Sequence, residues 1–255
     1  MVLSLTPLGG IPLITPGMDL VEVILAGLEY SDLQLLDNDI IAIAQKIVSK
    51  AEGRLVNLAT VTPSTRAIEL ASQSEKDPRL VELILNESKE VLRTRPGTII
   101  VEHNLGFICA SAGIDHSNVR GAGSHEEDWV LLLPENPDHS AEKIRNTIEA
   151  KSGVRVGVII NDSHGRAWRI GTVGAAIGIS GIPPTIDQRG WKDMTGYTLQ
   201  ITVVGAADEL AAAASLVMGQ AAEGTPIVHV RGFPYPLGEG SLSDLIRPKD
   251  QDLFR

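Results

Sequence analysis

VRVGVIINDSHG, residues 154–165, is the stretch that decides the fold class of this 255-residue chain. Its first seven residues form an apolar run that is typical of a strand buried on both faces of its sheet. Asp162 lies directly after this run, and open α/β sheets bind their ligands at the carboxyl ends of such strands. The stretch therefore predicts an α/β protein with a polar site where this strand ends.

The rest of the chain alternates helical and strand patterns. Helical spacing of apolar residues predicts helices over residues 19–29, 64–74, 78–94, 140–151 and 208–218. Apolar runs predict strands over residues 39–44, 129–134 and 226–232, and two more on either side of a turn at residues 104–106. GAGSHEED, residues 121–128, indicates a flexible surface segment. We expect a mixed α/β (α+β) fold in one domain, residues 1–255, or in two intimate lobes.

Charge and hydropathy exclude some partners. The net charge is −10 and no basic cluster occurs, so we expect no nucleic-acid partner. The apolar stretches end before the ~18 residues of a spanning helix, and no positive region precedes the apolar N-terminus. We therefore expect a cytoplasmic protein without a membrane segment. The single cysteine, Cys109, excludes an intramolecular disulfide, and its apolar surroundings favour a buried thiol over a nucleophile.

Two segments place a carboxylate where it could hold a metal. AGIDHSN, residues 112–118, combines Asp115 with Asn118, and hard oxygen ligands of this kind suit Mg²⁺ or Mn²⁺. An ordinary Asx-type turn is the competing interpretation and the one that the local sequence favours. Asp162 is the stronger candidate because it follows a buried strand, but a simple turn explains it equally well. Its neighbour Ser163 could bond a phosphate, and His164 could act as a base but is expected to be solvated.

QKIVSKAEGR, residues 45–54, suggests an anion site. If a helical turn follows the strand at residues 39–44, Lys46 and Lys50 lie four residues apart on one helix face and repel each other. An anion between them would relieve that repulsion, whereas a solvated helix face is the alternative. No P-loop and no G-x-G-x-x-G fingerprint after a strand is present.

Two glycine-containing segments could follow a phosphate chain. MGQAAEGTP, residues 218–226, contains Gly219 and Gly224, which are natural helix-capping and turn residues and need no other explanation. Gln220 could nevertheless offer a neutral oxygen to a metal. GGIPLI, residues 9–14, leaves the same choice between a turn and a backbone clamp.

Together these segments resemble the coenzyme F420-0:L-glutamate ligases (γ-glutamyl ligases). The resemblance runs in the family's order over nearly the whole chain, through GGIPLI, VSKAEGR, AGIDHSN, GVIINDSHGRAWR, ADELAAAASLVMGQ and PIVHVRG. It implies an acid–amino-acid ligase that uses GTP, Mg²⁺ or Mn²⁺, and K⁺ to add L-glutamate to coenzyme F420-0, an activity that could extend to F420-1. It further implies an unusual two-lobed fold that forms an intertwined homodimer.

The resemblance also assigns residues. It implies that Asp115, Asp162 and Gln220 are metal ligands and that Asp115, Asp162 and Lys50 form the catalytic set. It implies nucleotide contacts at Leu8, Gly9, Gly10, Ile11, Gln45, Lys46, Lys50, Asn118, Ser163, Met218, Gly219 and Gln220.

This chain departs from the family in three places. Asn161-Asp162-Ser163-His164 stands where the family often has Thr-Asp-Thr, Gln45–Lys46 replaces small hydroxyl residues that some relatives have, and GAGSHEED is longer than the equivalent loop in others. We expect no C-terminal flavin-binding domain, because the chain ends at Arg255.

The mechanism that the resemblance implies proceeds through an acyl phosphate. The sequence has no recognisable Ser–His–Asp or Cys–His motif, and phosphoryl transfer needs mainly positioning and charge neutralisation. Two alternatives stay open: a GTP-dependent ligase with a different carboxylate acceptor, and a nucleotide-binding module without catalysis.

Overall fold

The computed structural model describes residues 2–119 and 128–253, so the predicted flexible segment 121–128 lies outside the described residues except for Asp128. The chain forms a mixed α/β fold, as predicted. Its elements are β1 (Ser4–Pro7), α1 (Leu20–Tyr30), β2 (Asp39–Ala44), α2 (Gln45–Ala51), β3 (Leu55–Asn57), α3 (Thr65–Ser74), α4 (Pro78–Asn86), β4 (Ser88–Arg95), β5 (Thr98–His103), β6 (Ile108–Ala110), β7 (Trp129–Leu131), α5 (Pro137–Ser152), β8 (Val156–Gly165), β9 (Thr172–Ser180), β10 (Ile186–Asp187), β11 (Val203–Val204), α6 (Ala206–Met218) and β12 (Ile227–Arg231). Within residues 2–119 and 128–253, no helix has both the length and the apolar composition needed to cross a membrane.

A five-stranded sheet in the order β1-β12-β2-β8-β9 forms the centre of the fold. β2 and β8 pair in parallel, and the other neighbours in this sheet pair antiparallel. Alternate side chains of β8 enter different cores: Val158 and Ile160 pack with α1, α2 and α5, whereas Ile159 packs with α6. The prediction that this strand is buried on both faces is confirmed.

The glycines of β9 allow the helices to approach the sheet. A Cβ atom on Gly174 would lie 2.3 Å from the carbonyl oxygen of Ala211 in α6. On Gly178 it would lie 2.5 Å from the carbonyl oxygen of Pro137, at the start of α5. Both distances are shorter than side chains tolerate, so helices on opposite faces depend on glycine in the same strand.

The segment between β2 and β8 contains a second sheet, in the order β4-β5-β6. Its buried residues, among them Ile99 and Val101, form a third core with Val81 and Ile84 of α4 and Ala71 of α3. β3 and β7 form a separate antiparallel pair.

Several predicted boundaries are wrong. The helix predicted over 78–94 ends at Asn86, and SKEVLRTR forms β4 instead, because pairing with β5 supplies the partners of its backbone groups. The strand in residues 129–134 ends at Leu131, and α5 begins at Pro137 with Asn136 as its N-cap. β8 continues to Gly165 and pairs with β9, so Asp162 lies inside the strand and not after it.

A buried carboxylate joins the ends of β2 and β12 away from the carboxyl end of β8. Asp39 is 1% exposed and accepts hydrogen bonds from His229 Nε2 at 2.8 Å, from Arg231 Nε at 2.9 Å and Nη2 at 2.7 Å, and from the Leu36 amide. Burial alone raises the pKa of Asp39, but the hydrogen bonds from Arg231 and His229 outweigh it and hold the pKa below its ordinary value. The carboxylate therefore stabilises the fold in its ionised form.

We expect Asp39→Asn to lower the free energy of unfolding by about 3 kcal/mol, because it leaves Arg231 and His229 without their anion. Since Arg231 is partly exposed, this value is at the low end of the losses found when buried ion pairs are broken. The loss should be full at neutral pH and shrink below the ordinary aspartate pKa of 3.8. Urea unfolding measures it. Asp77→Asn is the matched control: asparagine still caps α4, and the exposed pair with Arg79 contributes little. Equal losses in both variants would contradict the role of Asp39.

Candidate functional site

A cavity of about 630 Å³ opens at the carboxyl ends of β2 and β8. Four segments that are distant in the chain line it: residues 11–16, residues from Ala44 to Lys50 in and before α2, residues 161–163 of β8, and residues 218–226 after α6. Pockets of this size commonly bind small molecules. Strand order alone explains the convergence, since the parallel register places Ala44 beside Asn161.

Asp115 lies beside the cavity and is held by the start of α2. Gln45 Nε2 donates to Asp115 Oδ2 at 2.5 Å, and Lys46 Nζ lies 3.2 Å from Asp115 Oδ1. Ser49 Oγ donates to Gln45 Oε1 at 3.0 Å, which orients the amide. The backbone of Asp115 also pairs with Leu131 in both directions. Gln45 and Lys46, which the resemblance assigns to the nucleotide, are therefore in direct contact with Asp115.

The electrostatic environment of Asp115 links it to Asp162. Burial raises the pKa of Asp115, and the negative charge of Asp162 raises it further. The charge of Lys46 and the hydrogen bonds from Lys46 and Gln45 act in the opposite direction, and the net result is a raised pKa. Two carboxylates that repel each other in a partly buried site would be stabilised by a cation between them.

Asp162 lies at the cavity and has His164 as a hydrogen-bond partner. Its side chain and that of Ser163 line the cavity from β8, and His164 Nε2 lies 3.1 Å from Asp162 Oδ2. The His164 side chain is only 14% exposed and contacts the ring of Phe107, so the expectation of a solvated histidine is wrong.

Lys50 also lines the cavity. Within residues 2–119 and 128–253 its ammonium group makes no hydrogen bond or ion pair with another side chain. Burial lowers the pKa of Lys50, the neighbouring charge of Lys46 lowers it further, and Asp115 opposes both. The predicted repulsion between the two lysines is therefore present, and an anion in the cavity would relieve it.

The opposite wall consists mainly of the loop after α6. Gly219 ends the helix with a φ of 71°, a value that favours glycine, and the loop continues along the cavity to Pro226. Asn118 Nδ2 donates to the carbonyl oxygen of Ala221 at 3.1 Å, and Gln220 Nε2 donates to Ser215 Oγ at 3.1 Å. Both amides line the cavity, as does Met218.

The part of the N-terminal segment that lines the cavity begins further along the chain than predicted. Ile11 lines it together with residues 12–16, which the sequence did not single out individually. Leu8 is fully buried in the core, and Gly9 and Gly10 pack against the ring of Tyr30. None of these three residues lines the cavity in the described structure.

Some polar residues near the site motifs have other environments. Arg54 donates to the Leu133 carbonyl oxygen, to Glu135 and to both carboxylate oxygens of Glu87, so it joins three segments of the fold. Cys109 is buried, and burial, followed by the charge of Asp162, raises its pKa to about 12. The predicted inert thiol is confirmed.

Asn161 and Ser215 also line the cavity but were not predicted as site residues. Proximity to Asp162 is the only sequence signal for Asn161, and Ser215 lies within an alanine-rich helix pattern that gives none.

The donor set of the cavity fits a small divalent cation. Among the residues that the structure describes, no group of three His, Cys, Asp or Glu side chains could hold a metal alone. Mg²⁺ is usually bound through one or two carboxylates, with waters and substrate phosphates as its other ligands. Asp162 in the cavity lining and Asp115 beside it are two such carboxylates, and the amide residues Asn118 and Gln220 also line the cavity.

Comparison with known proteins gives consistent matches over the whole site. A family model of F420-0:gamma-glutamyl ligases matches residues 10–232. The chain is similar to the coenzyme F420:L-glutamate ligase of Methanothermobacter thermautotrophicus, with 45% identity over 255 residues that cover 99% of each chain. It is also similar to the protein of the same name from Methanocaldococcus jannaschii, with 49% identity over 219 residues that cover 86% of this chain and 85% of the relative.

The contrast between Arg54 and Lys50 can be tested by stability. We expect Arg54→Lys to lower the free energy of unfolding by roughly 1.5–3 kcal/mol, because a lysine ammonium cannot replace the planar fork that binds three segments. Denaturant unfolding measures the loss. Lys50→Met, a control four residues away in the sequence, should keep or raise the stability because it removes a partly buried charge that has no ion-pair partner within the described residues. A loss on Lys50→Met would show that Lys50 has a structural partner.

Proposed function

Because the chain belongs to the F420-0:gamma-glutamyl ligase family, we propose that it ligates L-glutamate to coenzyme F420-0 at the expense of GTP. The enzyme is a ligase that forms a γ-glutamyl amide bond, as the family and the names of its relatives indicate. A second addition, to F420-1, belongs to the same proposal.

One observation supports this proposal most directly: paired lysines and paired aspartates meet at one cavity. Lys46 and Lys50 supply positive charge for phosphate groups, and Asp115 and Asp162 supply carboxylate oxygens for divalent cations. A site with both kinds of charge suits a nucleotide triphosphate bound with its metal. The cavity also extends along the glycine-containing loop 218–226, whose backbone can follow a phosphate chain.

The reaction needs activation, since a carboxylate does not react with an amine in water. We propose that the γ-phosphoryl group of GTP passes to the terminal carboxylate of the acceptor, which gives an acyl phosphate and GDP. The amine of L-glutamate then attacks the acyl carbon, phosphate leaves, and the amide bond forms. No covalent bond to the protein is required at any step.

The side chains of the site have separate tasks in this scheme. Lys46 and Lys50 lie one helical turn apart on α2 and offset the charge of the phosphates. Ser163, Asn118 and the loop from Met218 to Gln220 contact the nucleotide. Asp115, Asp162 and Gln220 would hold Mg²⁺ or Mn²⁺, which when bound neutralises charge that develops on phosphate oxygens.

We expect Asp162→Asn to reduce turnover by at least ~100-fold while the protein still folds. Substitution of a residue that only hydrogen-bonds to a metal ligand already lowers metal affinity or activity by about 10–100-fold. Mass spectrometry of the acceptor products and release of GDP measure the effect. Glu142→Gln, an exposed acidic position on α5, is the control and should keep full activity. Near-normal glutamate addition by Asp162→Asn would overturn the assignment. The same assay with sodium in place of potassium tests the requirement for K⁺.

Two other functions make different predictions in this assay. A ligase with a different carboxylate acceptor would release GDP without the deazaflavin once its own acceptor is supplied. A nucleotide-binding module would bind GTP but release no phosphate with any combination of substrates. Dependence of GDP release on both F420-0 and L-glutamate would exclude both.

We also propose that the chain forms a homodimer through its exposed apolar hairpins. Ile170, near the tip between β8 and β9, and Met194, between β10 and β11, are fully exposed. Trp168, Trp191, Tyr197, Ile201 and Val203 in the same two hairpins are also exposed. Apolar surface of this extent is uncommon on monomers and marks interaction sites.

The double substitution Ile170→Asp with Met194→Asp should convert a dimer into a monomer of 27.2 kDa, because it introduces charges into the proposed interface. Size-exclusion chromatography with light scattering measures the mass. Ile68→Asp, an exposed apolar position on α3, should leave the mass unchanged. A monomeric unsubstituted protein would refute the dimer.

A further inference from the structure

His164 makes the one hydrogen bond to the Asp162 side chain found within the described residues. Asp115, by comparison, is held by both Gln45 and Lys46. The orientation of Asp162 therefore depends on a single neighbour, His164 Nε2, at 3.1 Å from Oδ2. Within residues 2–119 and 128–253, no hydrogen bond reaches Asp162 Oδ1.

The roles of the two groups follow from their chemistry. An ionised carboxylate can only accept a hydrogen bond, so the Nε2 atom of His164 carries the hydrogen that it donates. His164 does not itself line the cavity, whereas Asp162 does. Whatever His164 contributes to a ligand in the cavity is therefore transmitted through Asp162.

A rigid turn fixes the imidazole ring from the other side. The centroids of His164 and Phe107 are 4.9 Å apart, and Phe107 stacks on His103 at 5.2 Å with an interplanar angle of 8°. Backbone hydrogen bonds from His103 to Phe107 and from Gly106 to His103 close the turn, and the Leu105 amide donates to His103 Nδ1. The ring of His164 thus contacts Phe107, which is itself stacked on the buried His103.

We propose that His164 is a positioning residue, which fixes the side chain of Asp162 in the orientation needed to bind a divalent cation in the cavity. This inference rests on the proposed function, in which Asp162 is a metal ligand. Hydrogen-bonded partners of metal-binding carboxylates restrict ligand orientation and typically contribute about 10–100-fold to metal affinity. The effect requires only the N–H donor at this position, not a change in the charge of the ring.

The test is the binding of Mn²⁺ to the full chain without nucleotide, followed by electron paramagnetic resonance at a pH of about 8, well above the ordinary histidine pKa. His164→Leu should weaken Mn²⁺ binding by about 10–100-fold without a change in thermal unfolding of the metal-free protein. His164→Gln keeps an N–H donor at a similar reach and should restore most of the affinity. His139→Leu, an exposed histidine beside Glu142, is the control and should bind Mn²⁺ normally.

Each contrary result has a separate meaning. Equal Mn²⁺ affinity in His164→Leu and the unsubstituted protein would overturn the inference and leave the proposed function intact. Equal losses in the Leu and Gln variants, or a loss of affinity that follows a loss of stability, would also overturn it, because packing would then explain the effect. An unsubstituted protein that binds no Mn²⁺ would overturn both this inference and the metal site of the proposed function.

Discussion

The parallel pairing of β2 with β8 is the constraint on which the rest of the structure depends. The two strands are separated by more than a hundred residues, and their register places Ala44 beside Asn161. Since chain direction is the same in both, α2 after Ala44 and the last residues of β8 after Asn161 emerge at one edge of the sheet. α2 with its lysines and the carboxylate of Asp162 therefore meet at the cavity without any local sequence relation between them.

The site brings together groups that repel each other, and the cores make this possible. Lys46 and Lys50 lie close on one short helix, and the charge of Asp162 helps to raise the pKa of Asp115. The buried residues of α2, Ile47 and Val48, anchor that helix in the core between α1, α5 and the sheet. At the opposite end of β2, both carboxylate oxygens of Asp39 accept hydrogen bonds. One end of β2 therefore carries a stabilising buried carboxylate, and the mutually repelling charges of the site lie at its other end.

Where the local sequence pattern was strong, it predicted the helix or strand that the structure shows. Asp19 caps α1 by accepting from the Val21 and Glu22 amides, and the helix follows the predicted apolar spacing. Residues 88–95 show where local reasoning failed: their pattern predicts that the helix continues, but they pair antiparallel with β5. Such pairing is a tertiary event, and it overrides weak local propensity.

The sequence by itself determined the fold class, the burial of β8, and the family, because apolar periodicity and long motifs are properties of neighbouring residues. It also brought forward Asp115, Asp162 and both lysines as candidates. Only the tertiary structure decided their partners. Gln45 contacts Asp115, which is 70 residues away in the sequence, and Phe107, between β5 and β6, contacts His164 of β8. The tertiary structure also places Leu8 in the core and Arg54 in a network that joins three segments of the fold. Contacts between such distant segments depend on strand order and packing, which no local pattern encodes.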